Sequence, residues 1–306
     1  FFFKLQYTAV IAHLCPLMQS RNRLMNWIIF IVLSFIWGSS FILMKEGLRA
    51  LSAYQVASLR MVSAGVILLP VAVRHMRKMP SGKMGYAILS GVLGSFIPAF
   101  LFCIAETRID SSLAGILNAL TPICVIIIGI LFFKNKVTVM QTAGVLTGFI
   151  GLCLLFVSKG NINFSYLSYA LLVVLATLSY GLNVNMVNRH LLAVGSFHIA
   201  TFAFVSLMIP ALVVLWFTGF FDLPLGDAGI LRATGASALL GVASTAAATV
   251  LFYVLLKRAG TIFASMVTYG IPFVAIFWGV LAGETITLLQ ILCLAVILAG
   301  VYVARR

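Results

Sequence analysis

Apolar stretches of about twenty residues recur ten times along the chain, each closed by charged residues or by Gly, Asn or Pro, and about twenty such residues are what one helix needs to cross the hydrocarbon of a bilayer. They run over residues 25–45, 52–73, 84–105, 111–133, 137–157, 167–188, 197–219, 235–256, 261–282 and 286–304. Of the 306 residues 63% are hydrophobic and 8% charged, against about 25% charged in soluble domains. A soluble core would leave far too much of that surface facing water. The pattern predicts an all-α, polytopic membrane protein with ten transmembrane helices.

The net charge of +14 would suggest nucleic acid in a soluble protein. Here the bases sit in short clusters between the apolar runs and read as topology, so the expected partner is the lipid bilayer and no nucleic acid. Threading ten spans puts thirteen bases on the side of both termini, among them Arg23, Lys83, Lys134, Arg189, Lys257 and Arg305. The other side receives five bases and all six acids: Glu46, Glu106, Asp110, Asp222, Asp227 and Glu284. The chain thus has a basic and an acidic face. The positive-inside rule makes the basic face cytoplasmic, and one helix more or fewer would scramble the segregation. Residues 1–24 read as a non-spanning extension, interrupted by His13, Cys15 and Pro16 and without a small-residue cleavage site, with Met18 or Met25 the natural start. The five cysteines lie in apolar stretches without CxxC spacing, so no disulfide framework, metal site or cofactor is expected.

An internal repeat divides the chain. At an offset of 150 residues Leu89 answers Leu239, Gly91 Gly241, Val92 Val242, Phe102 Phe252, Ala114 Ala264 and Pro122 Pro272; earlier, Trp37-Gly38 answers Tyr180-Gly181 at 143. The unit is five helices, residues 25–157 and 158–306. An odd number of spans inverts the second copy, and inverted repeats characterise secondary transporters that work by alternating access.

Phe35-Ile-Trp-Gly-Ser-Ser-Phe41, Arg60 in Val56-Ala-Ser-Leu-Arg-Met-Val62, and the paired Ala119-Leu-Thr-Pro122 and Gly270-Ile-Pro272 resemble the drug/metabolite transporter superfamily, specifically its EamA-type members. So does Gly283-Glu284-Thr285 before the last helix. The resemblance covers residues 25–304 and implies two EamA repeats, transport of a small-molecule solute, export as the direction and a bacterial inner membrane. It departs after the fourth helix, where the family often carries Gly-Glu and this chain has Phe133-Lys134-Asn135-Lys136; the change should affect loop structure more than substrate choice.

Solutes pass where helix faces are polar, since an unpaired polar group facing lipid costs free energy that one facing a wet cavity does not. Mid-span polar and aromatic residues therefore nominate the cavity: Trp37, Ser40, Ser95, Asn118, Thr121, Tyr180, Asn183, Thr245 and Tyr269, with Asn185 and Ser244 nearby. A Ser or Thr can instead bond back to its own helix, but a primary amide has four hydrogen-bonding sites that one helix cannot satisfy. Pro98, Pro122 and Pro272 mark helix breaks. Pro122 and Pro272 should free the carbonyls of Asn118 and Thr268 for substrate or merely kink for packing. Trp37-Gly38 and Tyr180-Gly181 are read as flanking two gates, with aromatic packing the alternative.

Arg60 is the one base well inside a span, roughly 12 Å below the acidic face at the helical rise. A structural pair with Glu46 or Glu106 is preferred over reception of a solute's anionic group. Glu106 closes the third span, where a solvated loop acid is the default. No acid lies at mid-span, which favours facilitated passage or exchange over proton antiport. Gly144 and Gly148 form GxxxG in the fifth span, and 235–249 are dense in Gly, Ala and Ser. Both read as internal packing surfaces, consistent with a monomer, with dimerisation the alternative. An intramembrane hydrolase is the competing class: Gly38-Ser39-Ser40-Phe41 superficially resembles a serine nucleophile turn, but His13, His75, His190 and His198 fall in the tail, loops or span ends, and the sequence has no HExxH and no intramembrane aspartate pair. The cavity inventory suits small polar or zwitterionic metabolites such as amino acids, with nucleosides, sugar derivatives or drug-like amphiphiles the runner-up.

Overall fold

The computed structural model describes the backbone of residues 2–75, 79–157, 166–281 and 287–305, and side chains from residue 23 onward except at 73–75, 112, 156 and 279. The reading of residues 1–24 therefore falls, but for its last two residues, outside the described side chains, as does that of Gly283-Glu284-Thr285. The order of helices is α1 (Phe2–Gly47, with its spanning stretch Arg23–Gly47), α2 (Ala53–His75), α3 (Ser81–Ala105), α4 in two pieces (Ser111–Asn118 and Thr121–Phe133) and α5 (Val139–Val157). The second half repeats it: α6 (Leu167–His190), α7 (Ser196–Phe217), α8 (Ala228–Ala259), α9 in three pieces (Thr261–Ser265, a 3₁₀ stretch Met266–Gly270, and Ile271–Leu281) and α10 (Leu288–Ala304). Eight of these are long and apolar enough to cross a bilayer by themselves, and the ten are completed by the shorter apolar helices α5 and α10.

Local chemistry sets several ends. Thr138 and Gln141 cap α5 reciprocally, and Thr287 with Gln290 repeats the same capping box at α10. These repeat mates start about two residues later than their hydropathy suggests because the cap, not the apolar run, begins the helix. α8 starts earlier than the apolar run at 235, because Asp227 Oδ1 accepts the backbone N–H groups of Gly229 and Ile230 at 2.8 and 3.1 Å.

Helix pairing carries the inverted symmetry. α2 packs on its mate α7 and α5 on its mate α10, while α1 lies against α8 and α9 as α6 lies against α3 and α4. A two-fold axis in the membrane plane produces this arrangement. The same symmetry appears inside the helices: α3 carries a π-helical turn at Val92–Phe96 and α8 one at Gly241–Ala247, each beginning at or beside the paired Gly91 and Gly241. Arg305 stacks over the Trp27 ring at 5.3 Å, so the last helix ends on the face where the first span begins. Large apolar side chains such as Ile31, Ile127, Leu131, Leu175 and Trp216 point outward, as a lipid-facing surface requires.

The GxxxG of α5 is used inside the molecule. A Cβ on Gly144 would collide with the backbone of Ala304 and Gly300, one on Gly300 with the backbone of Gly148, and one on Gly148 would lie 2.5 Å from the Tyr269 ring. We expect Gly144→Leu or Gly300→Leu to destabilise the protein by roughly 1–3 kcal/mol through overpacking, read as a lower unfolding temperature in detergent. Gly235→Ala, at a position with open space, should leave that temperature unchanged or slightly raised.

Candidate functional site

The breaks in α4 and α9 and the π-turns of α3 and α8 surround a cavity of about 90 Å³ at the centre of the bundle. Its aromatic walls are two mirrored pairs. Trp37 meets Phe252 with ring centroids 5.4 Å apart, and Tyr180 stacks on Phe102 at 6.3 Å. Phe102 and Phe252 went unread as site residues, although their offset of 150 beside the Trp37/Tyr180 match was the available signal. Ser40, Ser95, Asn118, Thr121 and Asn183 also line the cavity, joined by Ser244, Thr249, Ser265 and Thr268.

Other nominated residues lie elsewhere. Tyr269 is fully buried away from the cavity, its hydroxyl donating to the Val145 carbonyl of α5 at 2.9 Å, because the glycine at 148 opens a slot for the ring. Thr245 does not line the cavity; its hydroxyl accepts from Arg60 Nε at 2.5 Å. Asn185 is consumed by protein: Nδ2 donates to the Val125 and Gly181 carbonyls, each at 2.9 Å, and Oδ1 accepts from Asn135 Nδ2 at 2.6 Å. Pro98 and Pro122 sit in the first turns of the helical segments that follow the π-turn and the α4 break, and Pro272 follows the 3₁₀ stretch. The carbonyls expected to be freed are already in use. Asn118 O accepts from the Thr121 hydroxyl at 2.6 Å and Thr268 O from the Ile271 amide.

Two vestibules flank the centre. On the acidic face a space of about 400 Å³ lies between α1, α4, α5 and α9, and it shares Phe41 and Ile271 with the central cavity. On the basic face a pocket of about 250 Å³ lies between α4, α6 and the start of α9, the symmetry-related location, and shares no lining residue with the centre. The Asn135–Asn185 hydrogen bond clamps α6 to the turn after α4 on that side. Lys134 makes the turn possible by adopting a left-handed conformation (φ 54°), and Arg189 adds a bond to the Phe133 carbonyl. The position mirroring Asn185 at the 143-residue offset is Ile42, which lines the open vestibule and has no amide to clamp with. Trp37 and Tyr180 thus share one cavity instead of flanking separate gates. The adjacent glycines make the close approaches: a Cβ on Gly38 would lie 2.7 Å from Val274 of α9, and one on Gly181 2.9 Å from Ile128 of α4.

Electrostatics departs most from the sequence reading. Arg60 forms no ion pair with Glu46 or Glu106. Glu46 pairs instead with Arg49 at 2.8 Å and Arg232 at 2.6 Å, tying the end of α1 to the start of α8. Glu106 is not a solvated loop acid: it is 4% exposed, Oε2 accepts from the Ser111 hydroxyl at 3.2 Å, and Oε1 is without a partner. The chain folds back on itself there, since Glu106 ends α3 and Ser111 begins α4, and the Ser111 hydroxyl at the start of α4 meets the carboxyl. Burial pushes its pKa from an ordinary 4.5 up to about 8, an effect that Lys45 on α1, the Ser111 hydrogen bond and Arg60 on α2 offset only in part. Below about pH 4.5 both folded and unfolded chains hold the proton and nothing is lost. Between 4.5 and 8 the unfolded chain alone releases it, so stability falls as pH rises, and the loss is complete above 8. Glu106→Gln should therefore match the parent in unfolding temperature at pH 5 and exceed it by several degrees at pH 8.5; equal temperatures at both would place the carboxyl in water.

The family profile described as the EamA-like transporter family matches residues 25–157 and again 167–306. An uncharacterised transporter of Archaeoglobus fulgidus is 25% identical over 292 residues, covering 92% of this chain and 99% of that one. The uncharacterised transporter YoaV of Bacillus subtilis is 26% identical over 277 residues, covering 89% and 94%. A solved crystal structure superposes with a TM-score of 0.71 at 17% identity over 91% of this chain and 97% of that one, a likeness of fold. With both five-helix halves matched separately, the chain belongs to the EamA-like transporter family.

Proposed function

We propose that this membrane transporter is a secondary carrier of small polar or zwitterionic solutes, amino acids among them, and that it opens the central cavity to the two faces in turn. The observation that supports this reading is a cavity between inverted repeats that shares lining residues with a vestibule on the acidic face and none with its counterpart on the basic face, where Asn135 and Asn185 are hydrogen-bonded. A static hole through the protein would need no such difference between related positions. The mixture of aromatic walls and hydrogen-bonding groups suits a solute with one polar end and one apolar part. Passage is facilitated or by exchange, export is the working direction, and the basic face with both termini is cytoplasmic in the inner membrane of a bacterium.

Counterflow into proteoliposomes, with amino acids first and then nucleosides and organic cations, tests the proposal. Saturable exchange of an amino acid is expected, changing little when an imposed pH gradient is collapsed. Asn185→Leu should release the clamp and raise labelling of a cysteine placed at Ile126 from the basic face, while lowering that of one at Ile116 from the acidic face. Labelling that stays the same at both positions, or flux that never saturates for any solute, defeats the alternating carrier.

A further inference from the structure

Arg60 is the sole charged residue among the described residues lining the central cavity, and the partner of its Nε is a neutral hydroxyl. A guanidinium in such a place carries donors in a rigid fork matched to a carboxylate, and Arg60, partly buried, has no counter-ion among the described residues. Among the described residues no acid supplies one. Glu46 is engaged at the acidic face with two other arginines, and Glu106 makes no ion pair. Its neutral form, favoured by burial, leaves the cavity's positive charge uncompensated near neutral pH.

Two further groups in the same cavity lack partners of the opposite kind. Asn183 is 3% exposed and its Oδ1 accepts nothing; Ser244 is 2% exposed and its Oγ is unpaired, while its backbone carbonyl takes the Trp37 indole N–H at 3.0 Å. Gly94 leaves room for the Nδ2 side of the Asn183 amide, where any Cβ would collide with it. Buried polar atoms are nearly always satisfied, so an exception calls for an explanation, and in a cavity wall a ligand's group supplies one. The cavity thus holds one unneutralised cation and two idle acceptors beside aromatic walls.

We propose that the central cavity is built for a solute carrying both a carboxylate and an N–H donor group, the carboxylate held by the Arg60 guanidinium and the N–H group by Asn183 Oδ1 and Ser244 Oγ. This rests on the transporter reading above and narrows it from polar solutes in general to α-amino acids and their close analogues. Phe102 and Phe252 leave the apolar part of the molecule an aromatic surface.

The test uses the purified full chain, ligand-induced thermal stabilisation and calorimetry for binding, and counterflow for transport, with L-leucine, L-leucinamide and 4-methylpentanoate as probes. L-leucine should bind with both analogues much weaker. Arg60→Gln should weaken L-leucine about 100-fold, as removal of one side of a desolvated charge pair does, and leave L-leucinamide unchanged, while Arg60→Lys keeps part of the affinity. Ser244→Ala should weaken L-leucine and L-leucinamide but not 4-methylpentanoate, and it keeps the test open if the arginine variants misfold. L-leucinamide binding as tightly as L-leucine, unchanged L-leucine affinity in Arg60→Gln, or no L-leucine binding at all overturns the site. Saturable exchange of a solute without a carboxylate defeats this inference while leaving the carrier standing; carboxylate-dependent binding without exchange upholds the site and removes the carrier.

Discussion

A bilayer core offers no water to a stray polar group, and every other feature of this molecule follows from where its polar groups go. The backbone satisfies itself in helices. Side chains then divide into those that find a protein partner and those that face the interior cavity. Ser34 bonds to the Phe30 and Val267 carbonyls, Tyr269 to Val145 and Asn185 to three partners, so these residues bind helix to helix. Asn118, Asn183 and Ser244 face the centre. One rule therefore builds both the scaffold and the site.

The duplication supplies the frame, and its small imperfections make the two faces differ. Paired π-turns, broken helices and capping boxes place equivalent chemistry on the two halves, and the paired aromatics Trp37·Phe252 and Tyr180·Phe102 enclose the cavity from opposite sides. Gly38 and Gly181 let the mirrored contacts of α1 with α9 and α6 with α4 close to backbone range. Where the halves differ, the side-chain clamp is present on one face alone: Asn185 is answered by Ile42. The Lys134-Asn135 turn, which departs from the family's Gly-Glu pattern, holds the other half of the clamp.

Charge is distributed so that the centre stays positive. Glu46 spends itself on two arginines at the acidic face, and burial favours the neutral form of Glu106, so neither cancels Arg60. Thr245 steadies Arg60 through Nε without neutralising it. A permanent ion pair there would hold α2 firmly but would occupy the fork that the proposed site offers to a carboxylate.

Hydropathy and charge segregation determined the helix count and the shared face of the first and last spans, and residue matches at a constant offset determined the five-helix repeat, because none of these depends on the detail of packing. The repeat offset pointed to Trp37 and Tyr180, and position at mid-span to Asn118 and Asn183, since a polar or aromatic side chain there has few places to go. Spacing along one chain could not tell a cavity-facing group from a helix-binding one. Tyr269 and Asn185 look like Tyr180 and Asn183 in sequence and differ only in what packs against them, a glycine slot in one case and three partners from two helices and a turn in the other. Arg60 without an acid, and Glu106 buried at a turn, were likewise decided by tertiary structure. Whether a charge is paired or desolvated depends on distances between segments far apart in the chain, and those distances exist only once the helices are packed.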